Sequence, residues 1–296
     1  MRRRPVLAST VLAAALLLAG CGSGEPESSL PTASGEFGDK PEITFPDAEP
    51  PAELTTDVLS EGDGPEVTET DLIVADYLGQ VWDGDVFDNS YDAKGEAEPE
   101  PLMIPLSQLV PGWAKGLTGV KVGSRVLLSL PPEEGYGEEG NEQAGIEGTD
   151  TIVFVVDVLN SYSADASAQA DAAPDAAAAA AVAPQVTGEL GSEATVTVPA
   201  GSPEPTELVT TVLATGTGEP VAEGQLVAQY SGVDWTGSSI GSSWEDGTPQ
   251  VFPVSADQPT FAGLVGVPLG SRVLLQIPSA EASPAIAVVI DLVDQP

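Results

Sequence analysis

Residues 109–137 read L-V-P-G-W-A-K-G-L-T-G-V-K-V-G-S-R-V-L-L-S-L-P-P-E-E-G-Y-G, and their reading decides the fold. The first third predicts a short helix over 110–118. Pro111 suits an early helical position, where its missing N–H costs nothing, and Gly119 suits the exit. A Leu- and Val-rich run at 124–130 follows and predicts a strand. Runs of the same kind at 53–59, 71–77 and 151–159 are bounded by Gly, Pro or Asp clusters. In the last of these, Ile152, Phe154, Val156 and Val158 fall on one face at period two. One short helix among mostly antiparallel strands makes an α+β unit, a twisted sheet wrapping its apolar face over the helix.

The middle of that stretch occurs twice. G-L-T-G-V-K-V-G-S-R-V-L-L-S-L-P at 116–131 returns as G-L-V-G-V-P-L-G-S-R-V-L-L-Q-I-P at 263–278. Likewise V-A-D-Y-L-G at 74–79 returns as V-A-Q-Y-S-G at 227–232. Order is kept, with offsets of 153 residues at the tyrosines and 147 at the longer motif. So long a period indicates two copies of one domain and not a stacking repeat. Between them, 163–190 is dominated by Ala; Pro174 and Pro184 interrupt any helix, and no apolar face exists to bury. It reads as an Ala/Pro-rich linker. Residues 21–50, rich in Gly, Pro, Ser and Glu, read as a disordered tether. The expected organisation is a leader over 1–20, the tether over 21–50, a first unit over 51–162, the linker over 163–190 and a second unit over 191–296.

The leader has a basic start (Arg2, Arg3, Arg4), an apolar run over 6–18, and small residues before Cys21. The run is short for a membrane span and reads as a secretory signal peptide. Leu18-Ala19-Gly20-Cys21 resembles the bacterial lipoprotein signal, which implies that Cys21 becomes a lipidated N-terminus on the extracytoplasmic face of the cell membrane. Two acyl chains suffice for stable anchoring. As the only cysteine, Cys21 leaves no intrachain disulfide. Acidic residues number 46 against 9 basic ones, three of which lie in the leader. Such a surface repels nucleic acid and favours basic or neutral polypeptides. The chain has no histidine, which excludes Ser-His-Asp and Cys-His nucleophilic systems and argues against a catalytic zinc site. Glu133-Glu134 and Glu138-Glu139 match no ordered calcium loop, so no metal is expected.

Seven ordered motifs then carry a resemblance. They are E-G-D-G at 61–64, Tyr77-Leu78-Gly79, V-F-D-N-S at 86–90, L-V-P-G-W-A-K-G-L at 109–117, V-G-S-R at 122–125, P-P-E-E-G-Y-G at 131–137 and I-V-F-V-V-D-V at 152–158. Over 51–162 the chain resembles the FKBP family of immunophilins. That resemblance implies two FKBP-like domains, each a mostly antiparallel twisted sheet around one short helix. It implies an aromatic cup that receives a proline ring, with Trp113 as floor and Tyr77, Phe87 and Phe154 as walls. Leu109, Val110 and Ile146 would complete the apolar lining, and Leu102 stands where the family often has an aromatic residue. The loop between Ile104 and Gln108 is shortened by about two residues against the family pattern. Tyr136 would donate its hydroxyl to a substrate carbonyl, and Asp88 would lie beside the twisting amide. Taken singly, Trp113 and Phe154 read as core aromatics, Asp88 as a turn residue and Tyr136 as a loop anchor; their joint order points to the site. No bond is broken in prolyl isomerisation, so no cofactor is implied.

The second copy departs from this pattern. Tyr230 matches Tyr77, but Ile240-Gly241 stand for Phe87-Asp88, Thr260 (with Phe261 adjacent) for Trp113, and S-A-E-A-S-P-A at 279–285 lacks a tyrosine. G-S-R-V-L-L and A-V-V-I-D-L-V persist, so a scaffold without a site is expected. The function implied is a peptidyl-prolyl cis–trans isomerase that assists folding of exported, proline-containing polypeptides. It would act as a monomer held at the membrane by its lipid, with a cup that fits macrolides such as tacrolimus or rapamycin. The alternative from the same residues is a non-catalytic, proline-peptide-binding or chaperone-like surface lipoprotein.

Overall fold

The computed structural model describes residues 30–95, 98–280 and 283–296; the predicted signal peptide, Cys21 and the start of the predicted tether lie outside them. The chain opens with a two-stranded antiparallel hairpin, β1 (Thr32–Ala33) and β2 (Ile43–Thr44). There follow β3 (Thr55–Ser60), β4 (Leu72–Val81), β5 (Val86–Asn89), β6 (Leu102–Pro105), the helix α1 (Pro111–Leu117), β7 (Arg125–Leu130) and β8 (Ile152–Tyr162). All six strands from β3 to β8 form one antiparallel sheet in the order β3-β7-β8-β4-β5, with β6 also on β4. The helix starts at Pro111 and leaves through Gly119 at φ +84°, as its punctuation predicts. Trp113 and Leu117 of α1 bury against Ile73, Val126, Leu128, Val156 and Val158 on the concave face. Full burial of a side chain such as Leu117 contributes about 1.5–3 kcal/mol. Strand β4 outruns the predicted 71–77 because Gly79 continues it: a Cβ there would come within 2.8 Å of the Phe87 and Phe154 rings.

The second half repeats this order. Its elements are β9 (Ala173–Pro174), α2 (Ala176–Ala181), β10 (Gln185–Thr187), β11 (Thr195–Thr197), β12 (Val209–Thr215), β13 (Gly224–Asp234), β14 (Ser239–Ser242), α3 (Ser243–Asp246), β15 (Gln250–Val254), α4 (Pro259–Ala262), β16 (Arg272–Ile277) and β17 (Ile286–Asp294). Strands β12-β16-β17-β13-β14 run in the order of β3-β7-β8-β4-β5, and β15 joins β13 as β6 joins β4. One short helix per unit is corrected here. The described part of the second half has α2, α3 and α4, and the four-residue α4 stands where α1 does.

Two segments expected to be structureless are folded. From residue 30 onward the tether docks on the outer face of the first sheet, where Ala33, Ile43 and Phe45 meet Leu127, Val153, Val155 and Trp82. Phe45 and Trp82 lie 5.4 Å apart, tilted by 57°. The linker over 163–190 is likewise built in. β9 extends the edge of β12, an edge position that tolerates Pro174. Asp175 caps α2 by accepting N–H bonds from Ala177 and Ala178 at 3.0 and 2.9 Å. Val182, Val186, Ala194, Val196 and Val198 then cover Leu274, Ala287, Val289 and Trp235 on the second sheet. Each sheet thus has an N-terminal strap.

A buried ion pair holds each strap down. Arg125 (2% exposed) donates from Nε and Nη2 to Asp157 (0% exposed) at 2.6 and 2.7 Å, and from Nη2 to the Asp39 carbonyl at 2.6 Å. Arg272 bonds Asp291 at 2.7 and 2.8 Å, and the Ser192, Gly188 and Glu189 carbonyls at 2.6, 3.3 and 3.3 Å. The two halves touch through Leu72, Val74, Tyr162 and Val227, flanked by Met103, Leu159, Val251 and Val293. There the Tyr162 hydroxyl donates to Asp294 Oδ2 at 2.6 Å.

Removing one partner of a buried pair leaves an uncompensated charge, at a cost of about 3–5 kcal/mol. Arg125→Met therefore lowers the urea midpoint of the first half, followed by tryptophan fluorescence. Adding Asp157→Leu recovers most of the loss. An equal loss in single and double variants would show that the strap contacts, and not the stranded carboxylate, carry the cost.

Candidate active site

The concave side of the first sheet opens between α1, β5 and the loops after β6 and β7 into a cavity of about 510 Å³. Its base is aromatic because three elements converge there. Tyr77 comes from β4, Phe154 from β8 opposite Gly79, and Trp113 from the third position of α1. Trp113 is 2% exposed and stands edge-on to Phe154 at 5.2 Å and to Tyr77 at 5.7 Å. Phe87 meets Phe154 at 5.5 Å and 90°. Edge-to-face packing of this kind fixes each ring in place. The walls are therefore rigid before any ligand arrives.

Asp88 lies at the rim, opposite Gly79 in the β4–β5 register. The Tyr77 hydroxyl donates to its Oδ2, while Oδ1 accepts the Asn89 N–H at 2.9 Å and faces Lys94 Nζ at 2.8 Å. Partial burial works to raise its pKa, but Lys94, Tyr77 and the Asn89 N–H outweigh it and hold the carboxyl below its ordinary range. Burial, reinforced by Asp88, pushes the Tyr77 phenol well above its ordinary value, so it stays a donor. Tyr136, 37% exposed, stands at the mouth after the turn Pro132–Glu134. Lys115 of α1 ties that turn down through Glu134 at 2.7 Å. Among the described residues the Tyr136 hydroxyl has no hydrogen-bond partner, which leaves it available to a ligand.

Of the ten residues predicted for the cup, nine line it: Tyr77, Phe87, Asp88, Leu102, Leu109, Val110, Trp113, Tyr136 and Phe154. Ile146 does not; it is 4% exposed and belongs to the core. The reason is local. Asn141 caps the turn Glu142–Ala144, Gly145 leaves it at φ +70°, and Ile146 then exchanges backbone bonds with Asn141 at 2.8 and 2.9 Å. That fold-back presents Asn141, Gln143 and Ala144 to the cavity, and Gln108 joins them. The run N-E-Q-A-G at 141–145, an Asn three residues ahead of Ala and closed by Gly, is the signal that could have found this turn. Among the described residues no group of three or more His, Cys, Asp or Glu could hold a metal ion.

The second half carries no equivalent chemistry. Gly241 faces Gly232 as Asp88 faces Gly79, and a Cβ on it would lie 3.0 Å from the Tyr230 hydroxyl. The expected match of Thr260 to Trp113 is corrected by one residue. α4 starts at Pro259 as α1 starts at Pro111 but has one residue fewer before its Gly-Leu exit, so Phe261 holds the third helical position. Phe261 lies 5.1 Å from Phe252, tilted by 51°, and Phe252 lies 5.9 Å from Tyr230; these rings pack against the core.

Residues 64–159 match the family described as FKBP-type peptidyl-prolyl cis-trans isomerase. The FK506-binding protein of Streptomyces anulatus is 34% identical over 122 residues, which are 41% of this chain and 96% of that protein. The probable FK506-binding protein of Corynebacterium glutamicum is 33% identical over 124 residues, 42% of this chain and 99% of that protein. FkpA, an FKBP-type peptidyl-prolyl cis-trans isomerase of Escherichia coli, is 38% identical over 107 residues, 36% of this chain and only 37% of FkpA.

Because its folded pKa lies below its unfolded one, Asp88 stabilises the fold above the ordinary carboxylate range, and that contribution is lost as pH falls through the folded value. Lys94→Met shifts the Asp88 titration upward, as followed by carboxyl-carbon NMR. An unmoved titration would mean that the Tyr77 hydroxyl and the Asn89 N–H hold the charge without Lys94.

Proposed function

Because this chain belongs to the family of FKBP-type peptidyl-prolyl cis–trans isomerases, we propose that its first unit, residues 51–162, rotates Xaa–Pro bonds in exported polypeptides. The observation that carries this reading is the rigid edge-to-face box of Tyr77, Phe87, Trp113 and Phe154 with an ionised Asp88 on its rim. A proline ring fits over Trp113, with Leu102, Leu109 and Val110 gripping its flanks.

The rotation barrier of roughly 18–20 kcal/mol comes from amide resonance. Twisting the bond removes that resonance, localises the lone pair on nitrogen and leaves a ketone-like carbonyl. An apolar box withdraws water from the planar, more polar amide and so favours the twisted one. Tyr136 donates to a substrate carbonyl outside the rotating bond and so holds the chain in place, while Asp88 sits beside the changing amide dipole. Bonds that strengthen only in the twisted geometry lower the barrier. No nucleophile, metal or cofactor enters. Two relatives are named for binding FK506 (tacrolimus), which supports a cup that also accepts that macrolide; rapamycin is proposed beside it on the family resemblance alone.

In this reading residues 1–20 are a signal peptide and Cys21 is lipidated, so the protein works on the extracytoplasmic face of the membrane as a monomer. Nine residue steps lead from Cys21 to Leu30, the first described residue, a reach of at most about 30 Å at full extension. The isomerase would then work close to the bilayer, where exported chains emerge. Uncatalysed prolyl isomerisation takes tens of seconds or more, long enough to limit their folding. The second unit, within 191–296, is an FKBP-like copy whose cup is filled by Phe252 and Phe261 and whose carboxylate is Gly241. It isomerises nothing.

A protease-coupled assay on the chain from residue 22 tests the activity. The wild type accelerates isomerisation, tacrolimus blocks it, and Asp88→Val with Tyr136→Phe lowers kcat/KM by about tenfold or more. A folded wild type that suppresses client aggregation without acceleration would replace this reading with a non-catalytic, proline-binding lipoprotein. In cells, Cys21→Ser moves the protein from the membrane fraction to the soluble one; retention at the membrane would exclude the lipid anchor.

A further inference from the structure

Asp157 lies on the face of the first sheet opposite the cup, yet its Oδ2 collects bonds from both the strap and the loop that follows Asp88. Gly38 N–H of the strap donates to this oxygen at 2.7 Å, and the Tyr91 hydroxyl of the loop donates to it at 3.1 Å. Arg125 Nη2 donates to the same oxygen at 2.7 Å while holding the Asp39 carbonyl at 2.6 Å. One residue further along the strap, Lys40 bonds Asp92 of the loop. Asp92 is locked in turn to Asn89, accepting from its Nδ2 at 3.1 Å and donating its own N–H to Asn89 Oδ1 at 2.9 Å. Asn89 is the residue that donates its N–H to Asp88. An unbroken path of bonds therefore runs from strap residues 38–40 to the carboxylate on the rim of the cup.

The second half of the molecule serves as an internal control. It keeps the buried pair as Arg272–Asp291, and it keeps a strap bonded to the arginine through backbone carbonyls. It also keeps the serine that ties the loop to its sheet: Ser243 Oγ accepts the Tyr230 N–H at 2.7 Å, as Ser90 Oγ accepts the Tyr77 N–H at 3.0 Å. The residues in register with Tyr91 and Asp92 are Trp244 and Glu245, and among the described residues neither reaches the strap or Asp291. Where the rim carboxylate has become Gly241, the tie at these two loop positions is missing; the segment before the second sheet reaches only the preceding Ser243, through Gln229, which donates from Nε2 to the Ala164 carbonyl at 2.8 Å and accepts from Ser243 Oγ. The Tyr91 and Lys40 bonds, which reach the loop beyond Asp88, are therefore particular to the half that keeps the rim carboxylate.

We propose that the segment at 38–40 is a positioning element of the isomerase site, with Lys40 and Tyr91 fixing the loop over 88–94 so that Asp88 is held at the cup. The proposal rests on the isomerase reading of that cup. Asp88 has an open side toward solvent, and the loop that carries it forms one edge of a sheet only four residues wide at β5. Without an external tie such an edge is free to move on its register, and small displacements of a reacting group are costly to rate. The strap supplies the tie from the opposite face of the sheet.

The test uses the chain from residue 22 and reads both loop order and rate. In Lys40→Ala, amide hydrogen exchange over 88–94 quickens, kcat/KM falls about three- to fivefold and most of the change is in kcat, because Asp88 is misplaced and the proline box is untouched. Lys40→Arg restores both, which a general loss of stability would not allow. Tyr91→Phe gives the same pattern from the other arm of the path. Unchanged exchange over 88–94 in both Lys40→Ala and Tyr91→Phe overturns the proposal whether or not the wild type turns over. Faster exchange with unchanged kcat/KM overturns it as well. A wild type that shows no turnover, with exchange quickened as expected, overturns the isomerase reading and with it the catalytic purpose of the strap.

Discussion

A carboxylate with no exposed surface must be paired, and Asp157 is the point at which the first half of this molecule meets that requirement. Replacing such a pair with apolar side chains is often neutral or better for stability, so its presence argues for geometry more than for energy. Asp157 and Arg125 sit side by side on β8 and β7, in direct register, and their hydrogen-bonding capacity points outward from the sheet. Backbone from the strap and a hydroxyl from the loop beside the cup take up most of it, while Arg125 Nη1 is buried with no partner among the described residues. The pair therefore converts a two-faced sheet into a three-layer unit: helix and cup on one side, strap on the other. Repetition of the same arrangement as Arg272–Asp291 indicates that the strap belongs to the repeat itself. The repeating unit is longer than the homologous core that the motifs mark out.

The two halves meet at equivalent positions. Val74 pairs with Met103 and Asn160 in the first sheet, and Val227 pairs with Val251 and Asp294 in the second. Those same residues form the contact between the halves, with Tyr162 bridging to Asp294. Like positions facing like is the signature of an isologous interface between two copies, here made within one chain. A second unit that has lost its cup still has a physical role on this account. It covers an apolar end of the first sheet that would otherwise face water.

Most of the first sheet was legible because each element carries its own punctuation. Pro111 and Gly119 bracket the helix, and the period-two run from Ile152 to Val158 fixes which face of β8 is inside. Eight of the ten cup residues lie in the ordered motifs and on that rigid frame, and a ninth, Leu102, followed from the resemblance. Ile146 did not, because a tight Asn-capped turn shifts which side chains look into the cavity, and motif order does not encode it. The straps were illegible for a different reason. Ala33, Ile43 and Phe45 are scattered through a polar, Gly- and Pro-rich stretch, and strands of two residues have no period to detect. Composition averaged over such a stretch reads as disorder, while the partner that orders it, Arg125, lies 86 residues from Asp39. A trace was present: G-S-R and a buried aliphatic-Asp step (Val156-Asp157, Ile290-Asp291) recur in both copies, as do Trp82 and Trp235, each under its own strap.

Scarcity makes the cations of this chain informative. Among the described residues there are four lysines and two arginines against a large excess of carboxylates, and each of the six is bonded to one. Exposed ion pairs contribute little to stability, so their number explains nothing by itself. Their positions do. Lys94 sits on Asp88, Lys115 joins α1 to the turn before Tyr136, and Lys40 joins the strap to Asp92. All three lie where two acidic segments around the cup come together. In a chain with a net charge of −37, mutual repulsion drives such segments apart and would widen the mouth of the cup. Three lysines placed at those junctions hold it to shape, while the rest of the acidic surface stays uncompensated. Screening by salt weakens that repulsion and those bridges together, which keeps the balance at the mouth less sensitive to ionic strength than either alone.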